Sequence, residues 1–217
     1  MAIFSSTIGN LYLCGYVDDT NYNDEWYLDI SGDELTILAI ADPDRTRGAD
    51  AIQAANLAES RYVSSNAIVT YKINKESVIR GMETSEVFVS RSHGAPTCIQ
   101  INDDSMGRDS KFLEVQDIYN YETKTALVDL SGCELVMFIG CSTAADANQE
   151  SITHAAVEAG ATMAIGFGAT INDPEADIWM KAFLESYYIN SHDVYQAKED
   201  ALTSESGGNM NTAIIVD

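Results

Sequence analysis

The chain is 217 residues long and 46% apolar, enough for one globular domain that buries its own core. Thirty-four acidic against twelve basic side chains give a formal net charge of −22, which repels nucleic-acid phosphates and anionic lipid surfaces and excludes both as partners. No stretch approaches the ~20 consecutive apolar residues of a membrane helix, and the four cysteines (Cys14, Cys98, Cys133, Cys141) show no C-x-x-C spacing and no disulfide framework.

Residues 1–33 are rich in Tyr, Asp and Asn and alternate around the polar turn 18–21, which predicts a hairpin or edge segment packed on a domain spanning 34–217. The acidic turn lacks calcium-loop spacing and reads as solvated. Residues 35–40 form a first buried strand ended by Asp42-Pro43-Asp44. Residues 45–62 then carry Ala51, Ile52, Ala55, Leu57 and Ala58 at helical spacing, so a βαβ unit opens here. A strand over 67–73 and a short helix over 75–82 lead to the apolar run 87–89, which empties into Ser90-Arg91-Ser92-His93-Gly94.

From 97 to 112 the alternation of Cys98-Ile99-Gln100-Ile101 and the polar excursion 102–110 predict a small hairpin with an exposed loop. A short helix is expected between 114 and 125. Residues 135–139 are then five apolar residues in a row, stopping at Gly140 and delivering Cys141 into a run of small residues. Such a run, bounded by turn chemistry, reads as a central parallel strand buried on both faces. A helix over 149–159 closed by Gly160 follows, then a strand over 161–167. Helices over 174–188, with Asp173 as cap before Pro174, and over 193–203 precede a last strand over 212–216. Six core strands alternating with helices predict an α/β fold: a three-layer αβα sandwich around a mostly parallel six-stranded sheet.

Ligands and chemistry collect outside the carboxyl ends of the strands of such sheets. His93 and Cys141 each stand at one of these ends. Were the two strands neighbours, an imidazole able to move a proton would meet a thiol able to attack. A free cysteine is more often a small buried hydrophobe, and Cys14, Cys98 and Cys133 are assigned that role. His154, on the surface of its helix, and His192, beside the capping Asp193, are weaker candidates for the base. Three histidines without an i, i+4 pair make no zinc site, so no metal and no cofactor are expected.

Ser92-His93-Gly94 at a strand end, residues 130–143 ending in Gly140-Cys141-Ser142-Thr143, Glu158-Ala159-Gly160-Ala161 and Ala164-Ile165-Gly166-Phe167 together resemble the caspase-like (clan CD) cysteine peptidases. Within them the pattern is most similar to the bacterial CHAT, clostripain and gingipain branches, from about residue 35 to the end. His93 and Cys141 lie 48 residues apart, against roughly 50 in caspases.

The resemblance implies the caspase-hemoglobinase fold and a cysteine endopeptidase that cleaves peptide or protein substrates through a thioester acyl-enzyme, without metal. By position His93 and Cys141 are the implied catalytic dyad, and the N–H groups of Gly94 and Cys141 the implied oxyanion hole. Gly140-Cys141-Ser142 departs from the Q-A-C-[RQG]-G of caspases, so cleavage after aspartate is not implied. Clostripain-like relatives hold an Arg or Lys side chain with an acidic residue, and Asp173 lies near that place; an apolar substrate pocket of Phe167, Ile171 or Trp179 is the alternative.

Two other readings compete. A small-molecule cysteine hydrolase would need a third polar partner, for which Asp42 is the candidate, and a catalytically silent domain would serve binding or regulation. Additional domains, a regulatory partner, and activating cleavage near Arg108 or Lys111 stay open. The amino terminus shows no signal-peptide pattern, so the cytoplasm is the default expectation, and secretion stays open if this is an excised domain.

Overall fold

The computed structural model describes residues 2–3, 11–15, 75–84, 87–101, 111–145, 148, 150–202 and 208–217. Two strands come first, β1 (Ala2–Ile3) and β2 (Leu11–Gly15). Helix α1 (Lys75–Thr84) leads into β3 (Val87–Arg91), whose five residues are all buried. Directly after it, β4 (Gly94–Ala95), β5 (Cys98–Gln100) and β6 (Phe112–Glu114) form a small antiparallel sheet.

A single helical turn, α2 (Val115–Ile118), and the hairpin of β7 (Tyr119–Asn120) with β8 (Thr125–Ala126) occupy the region where one short helix is predicted. Local side-chain chemistry ends the helix. The Glu114 N–H donates to Asp117 Oδ2 at 2.8 Å, capping the turn. Asn120 Oδ1 then accepts the N–H groups of Glu122 and Thr123 at 3.0 and 3.1 Å, and Lys124 takes the left-handed φ of 55°.

The expected central strand is β9 (Leu135–Ile139), all five side chains fully buried; burying each is worth ~1.5–3 kcal/mol. Helix α3 (Ile152–Glu158) is capped by the Ser151 side chain, which accepts the His154 N–H, and ends before Gly160 at φ 110°. Strand β10 (Met163–Phe167) and helix α4 (Asp173–Leu184) follow. The Ala176 N–H donates to the Asn172 carbonyl at 2.9 Å, so Asn172, rather than Asp173, holds the cap position. The helix loosens into a π turn (Glu185–Ile189) before α5 (Val194–Ala201), where Asp193 accepts the Gln196 N–H at 2.8 Å as the N-cap. A 3-10 turn (Gly208–Thr212) leads to β11 (Ala213–Val216).

Among the described residues the main sheet has the order β1-β2-β3-β9-β10-β11. Its inner strands β2, β3, β9 and β10 run parallel, and β1 and β11 flank them antiparallel. Segment 11–15 pairs antiparallel with β1 at the edge of the main sheet and parallel with β3 on its other side. The predicted strands 35–40 and 67–73, the helix over 45–62, Asp42, the polar loop 102–110 and the proposed boundary at 33/34 lie outside the described residues.

Strand alternation separates two faces. Register puts Val89, Met137, Ile165 and Phe167 on one face and Phe88, Val136, Phe138, Ala164 and Gly166 on the other. The Trp179 ring of α4 meets Phe167 edge-on at 5.2 Å, whereas Thr153 of α3 lies against Gly166. Helices therefore cover opposite faces, giving the three-layer α/β sandwich with a parallel-dominated sheet.

Candidate active site

The ladder between β3 and β9 sets where His93 and Cys141 stand. Arg91 pairs with Ile139, and the Ser92 N–H donates to the Ile139 carbonyl at 3.2 Å. Two residues beyond that last pair, the two chains carry His93 and Cys141. Backbone contact between the two turns is tight: a Cβ added at Gly140 would stand 2.7 Å from Ser92 O and 3.1 Å from Gly94 N. One added at Gly94 would stand 3.0 Å from Cys141 O and 3.2 Å from Cys141 N. The His93-Gly94 turn therefore abuts the Gly140-Cys141 turn.

Each turn is anchored from behind. The His93 carbonyl accepts the Gln100 N–H at 2.9 Å, and Gly94 pairs with Ile99 across β4 and β5. Past Cys141 the chain reverses through Ser142 at φ 59°, a left-handed conformation uncommon outside glycine, Asn and Asp. That turn is docked on the exit of β10. Ser142 N–H donates to Ala169 O at 2.9 Å and Ala144 N–H to Phe167 O at 3.0 Å.

Cys141 is half-buried, and its Sγ donates to the Ile171 carbonyl at 3.6 Å. His93 is exposed. Helix α3 begins only at Ile152, so its N-terminus is not the immediate continuation of the thiol's turn. Residues on the exit of β10 play a different part from the expected pocket wall. Phe167 and Trp179 are fully buried against each other, Ile171 is 5% exposed, and all three belong to the core. It is the Ile171 carbonyl, not its side chain, that meets the sulfur. Asp173 opens α4 two residues further on.

The other histidines have their own local partners. His154 Nδ1 lies 2.8 Å from Ser151 Oγ, and the residue lines a separate cavity of about 270 Å³ with Tyr121, Glu150, Glu158 and Asp217. His192 Nδ1 lies 2.7 Å from Asp200 Oδ2, a carboxylate that also accepts from Ser186 and Gln196. Those bonds, the Ser186 hydroxyl's first, hold the Asp200 carboxyl below the usual carboxylate range. Cys133 is buried and Cys98 half-buried. Among the described residues no three His, Cys, Asp or Glu side chains stand together as a metal site, and no helix is long and apolar enough to cross a membrane.

Sequence reasoning missed Thr143 and Thr153, two fully buried threonines behind the turn. No local pattern marks them, because the bonds that matter reach other elements.

No protein-family model and no curated protein matches the sequence. Solved structures do. The separase–securin complex of Saccharomyces cerevisiae superposes with a TM-score of 0.54 at 14% identity, over 95% of this chain and 11% of that one. Gingipain R, an Arg-specific cysteine proteinase, superposes with a TM-score of 0.55 at 10% identity, over 94% of this chain and 45% of its own. The fold is caspase-like. This caspase-like unit thus spans about a tenth of the separase chain and under half of the gingipain chain. At these identities the likeness is one of architecture.

Proposed function

We propose that the chain is a cysteine endopeptidase that hydrolyses peptide bonds with Cys141 as nucleophile and His93 as acid and base. The observation that carries this reading is the shared register of β3 and β9, which sets Cys141 against the His93-Gly94 turn at the carboxyl edge of the sheet. The caspase-like architecture supports it.

In the proposed reaction the Cys141 thiolate attacks the scissile carbonyl carbon, and the carbonyl electrons move to oxygen. The N–H groups of Gly94 and Cys141 hold that oxyanion; one such donor is typically worth ~10²- to 10³-fold in rate. Collapse of the adduct breaks the C–N bond as the His93 imidazolium protonates the departing amine, leaving a thioester on Sγ. Water then attacks the thioester while His93 accepts its proton, and C–S cleavage frees the acid and restores the thiolate. To reach a substrate carbonyl the Cys141 sulfur gives up its contact with the Ile171 carbonyl. Substrate entering beside 169–173 is placed to displace that contact.

Asp173, the first residue of α4, is proposed to favour a basic residue before the cut. Digesting a peptide library with the wild-type chain and with Cys141→Ala tests activity and preference together. Cleavage products that vanish in the variant are expected, and products unchanged by it would end the proposal.

A further inference from the structure

Thr143 lies two residues past Cys141, is wholly buried, and has both its hydroxyl and its carbonyl engaged. Its Oγ1 donates to the Phe138 carbonyl at 2.8 Å, with the Gly140 carbonyl at 3.3 Å, and accepts the Phe167 N–H at 3.1 Å. Its carbonyl accepts the Thr153 hydroxyl at 2.9 Å. On the opposite side its methyl faces Gly94, where an added Cβ would come within 2.5 Å of Cγ2. Gly166 is closed in the same way, with an added Cβ 2.9 Å from Thr143 Oγ1 and 2.1 Å from Thr153 Oγ1.

One side chain thus joins three elements. The hydroxyl ties the end of β9 to the end of β10, and the methyl wedges against the glycine of the His93-Gly94 turn. The hydroxyl fills both a donor and an acceptor role, so an isosteric methyl would take the partner from the buried Phe167 N–H and leave the Phe138 carbonyl to the Gly140 N–H.

We infer that Thr143 is the positioning residue of this site, holding the Cys141 turn and the Gly94 backbone in the relative placement that the chemistry uses. The inference rests on the peptidase reading of Cys141 and His93. Valine keeps the shape and loses the hydroxyl, whereas serine keeps the hydroxyl and loses the methyl. These two variants separate the hydroxyl's part from the methyl's.

The test uses the full chain and two independent readouts. The first is amide hydrogen exchange at Ser142 and Ala144, whose N–H groups bond Ala169 and Phe167, with the α5 amides as internal reference. The second is kcat and KM on a cleaved peptide beside the rate at which iodoacetamide alkylates Cys141. For Thr143→Val, exchange at 142 and 144 is expected to quicken at least about tenfold with α5 unchanged, and kcat to fall by a similar factor with KM held. Alkylation stays within about twofold, because a small reagent needs the thiol but no oxyanion site.

Thr143→Ser keeps the hydroxyl bonds and loses the methyl against Gly94, so exchange at 142 and 144 is expected to stay within about threefold of wild type while kcat falls by about threefold or more. Unchanged exchange and kcat in the valine variant would overturn the inference, as would exchange that rises equally at α5. If the valine variant does not fold, Thr153→Val removes only the donor to the Thr143 carbonyl. It should quicken exchange at 142 and 144 alone, and failure to do so overturns the inference too. A wild-type chain that cleaves no peptide defeats the peptidase reading, while the exchange measurements still decide whether Thr143 orders the turn.

Discussion

Replacing Gly94 by alanine puts one methyl group into the tightest contact of the site. The added Cβ would stand 2.5 Å from Thr143 Cγ2, 3.0 Å from Cys141 O and 3.2 Å from Cys141 N. Carbon atoms in contact prefer ~3.5–4.0 Å, so the first approach is about 1 Å too close. Thr143 cannot turn away without breaking its bonds to Phe138 and Phe167, and the Cys141 contacts are with backbone. Overpacking of this kind costs ~1–3 kcal/mol. Relief requires the His93-Gly94 turn to move off the Cys141 turn, which misplaces the proposed oxyanion donor, the Gly94 N–H; on that proposal kcat/KM should fall by ~10²-fold.

Urea unfolding and peptide-cleavage kinetics on Gly94→Ala measure both quantities. Gly132→Ala is the internal control, because a Cβ there meets nothing within 4 Å. Adding Thr143→Ser to Gly94→Ala removes the Cγ2 clash and should recover part of the stability, with less recovery of rate because the Cys141 contacts persist. A Gly94→Ala chain with wild-type stability and kcat/KM within about twofold would refute the reasoning.

Gly160 sits at φ 110° with an added Cβ 3.0 Å from Ser131 N, so Gly160→Ala should lower unfolding free energy by ~1–3 kcal/mol. Activity per folded molecule should be unchanged, which urea titration alongside an active-site count checks. The Asp200 carboxyl is shifted down in the folded chain, so between the folded and unfolded pKa values the unfolded state binds more protons and stability rises with pH. Its contribution is present above about pH 4 and lost as pH falls through the folded value; Asp200→Asn should flatten that acid limb in pH-dependent denaturation. Asp173→Asn should weaken cleavage after Arg or Lys relative to apolar residues in a matched peptide pair, and an unaltered ratio would remove Asp173 from specificity.

The elements legible in the sequence are those whose burial is decided locally. Residues 135–139 form a strand at the predicted bounds because five consecutive apolar residues satisfy a strand covered on both faces. Gly160 marks a helix end because no other residue tolerates its backbone cheaply. By contrast, one short helix is expected between 114 and 125, and Asn120 and Lys124 cut it off after Ile118 with turn bonds and a left-handed φ that period-counting does not weigh. Strand order is non-local as well. Nothing in Leu11-Tyr12-Leu13 announces that it pairs with Val87-Phe88-Val89.

The same division runs through the site. His93 and Cys141 could be singled out because each follows an apolar run, and the order of the strands then brings their turns together. Thr143 was invisible because its worth lies in contacts with Phe167, Thr153 and Gly94, each remote in sequence. Phe167 and Trp179 were expected at a pocket, but the Phe167 ring at the end of β10 and the Trp179 ring within α4 meet edge-on in the core, away from solvent.

The most direct measurement is covalent labelling with a peptidyl acyloxymethyl ketone, mapped by mass spectrometry on wild type, Cys141→Ala and His93→Ala. One adduct per wild-type chain, on Cys141, with labelling lost in Cys141→Ala and strongly slowed in His93→Ala, is the predicted result. Labelling on Cys98 instead, or rates indifferent to His93, would contradict the account.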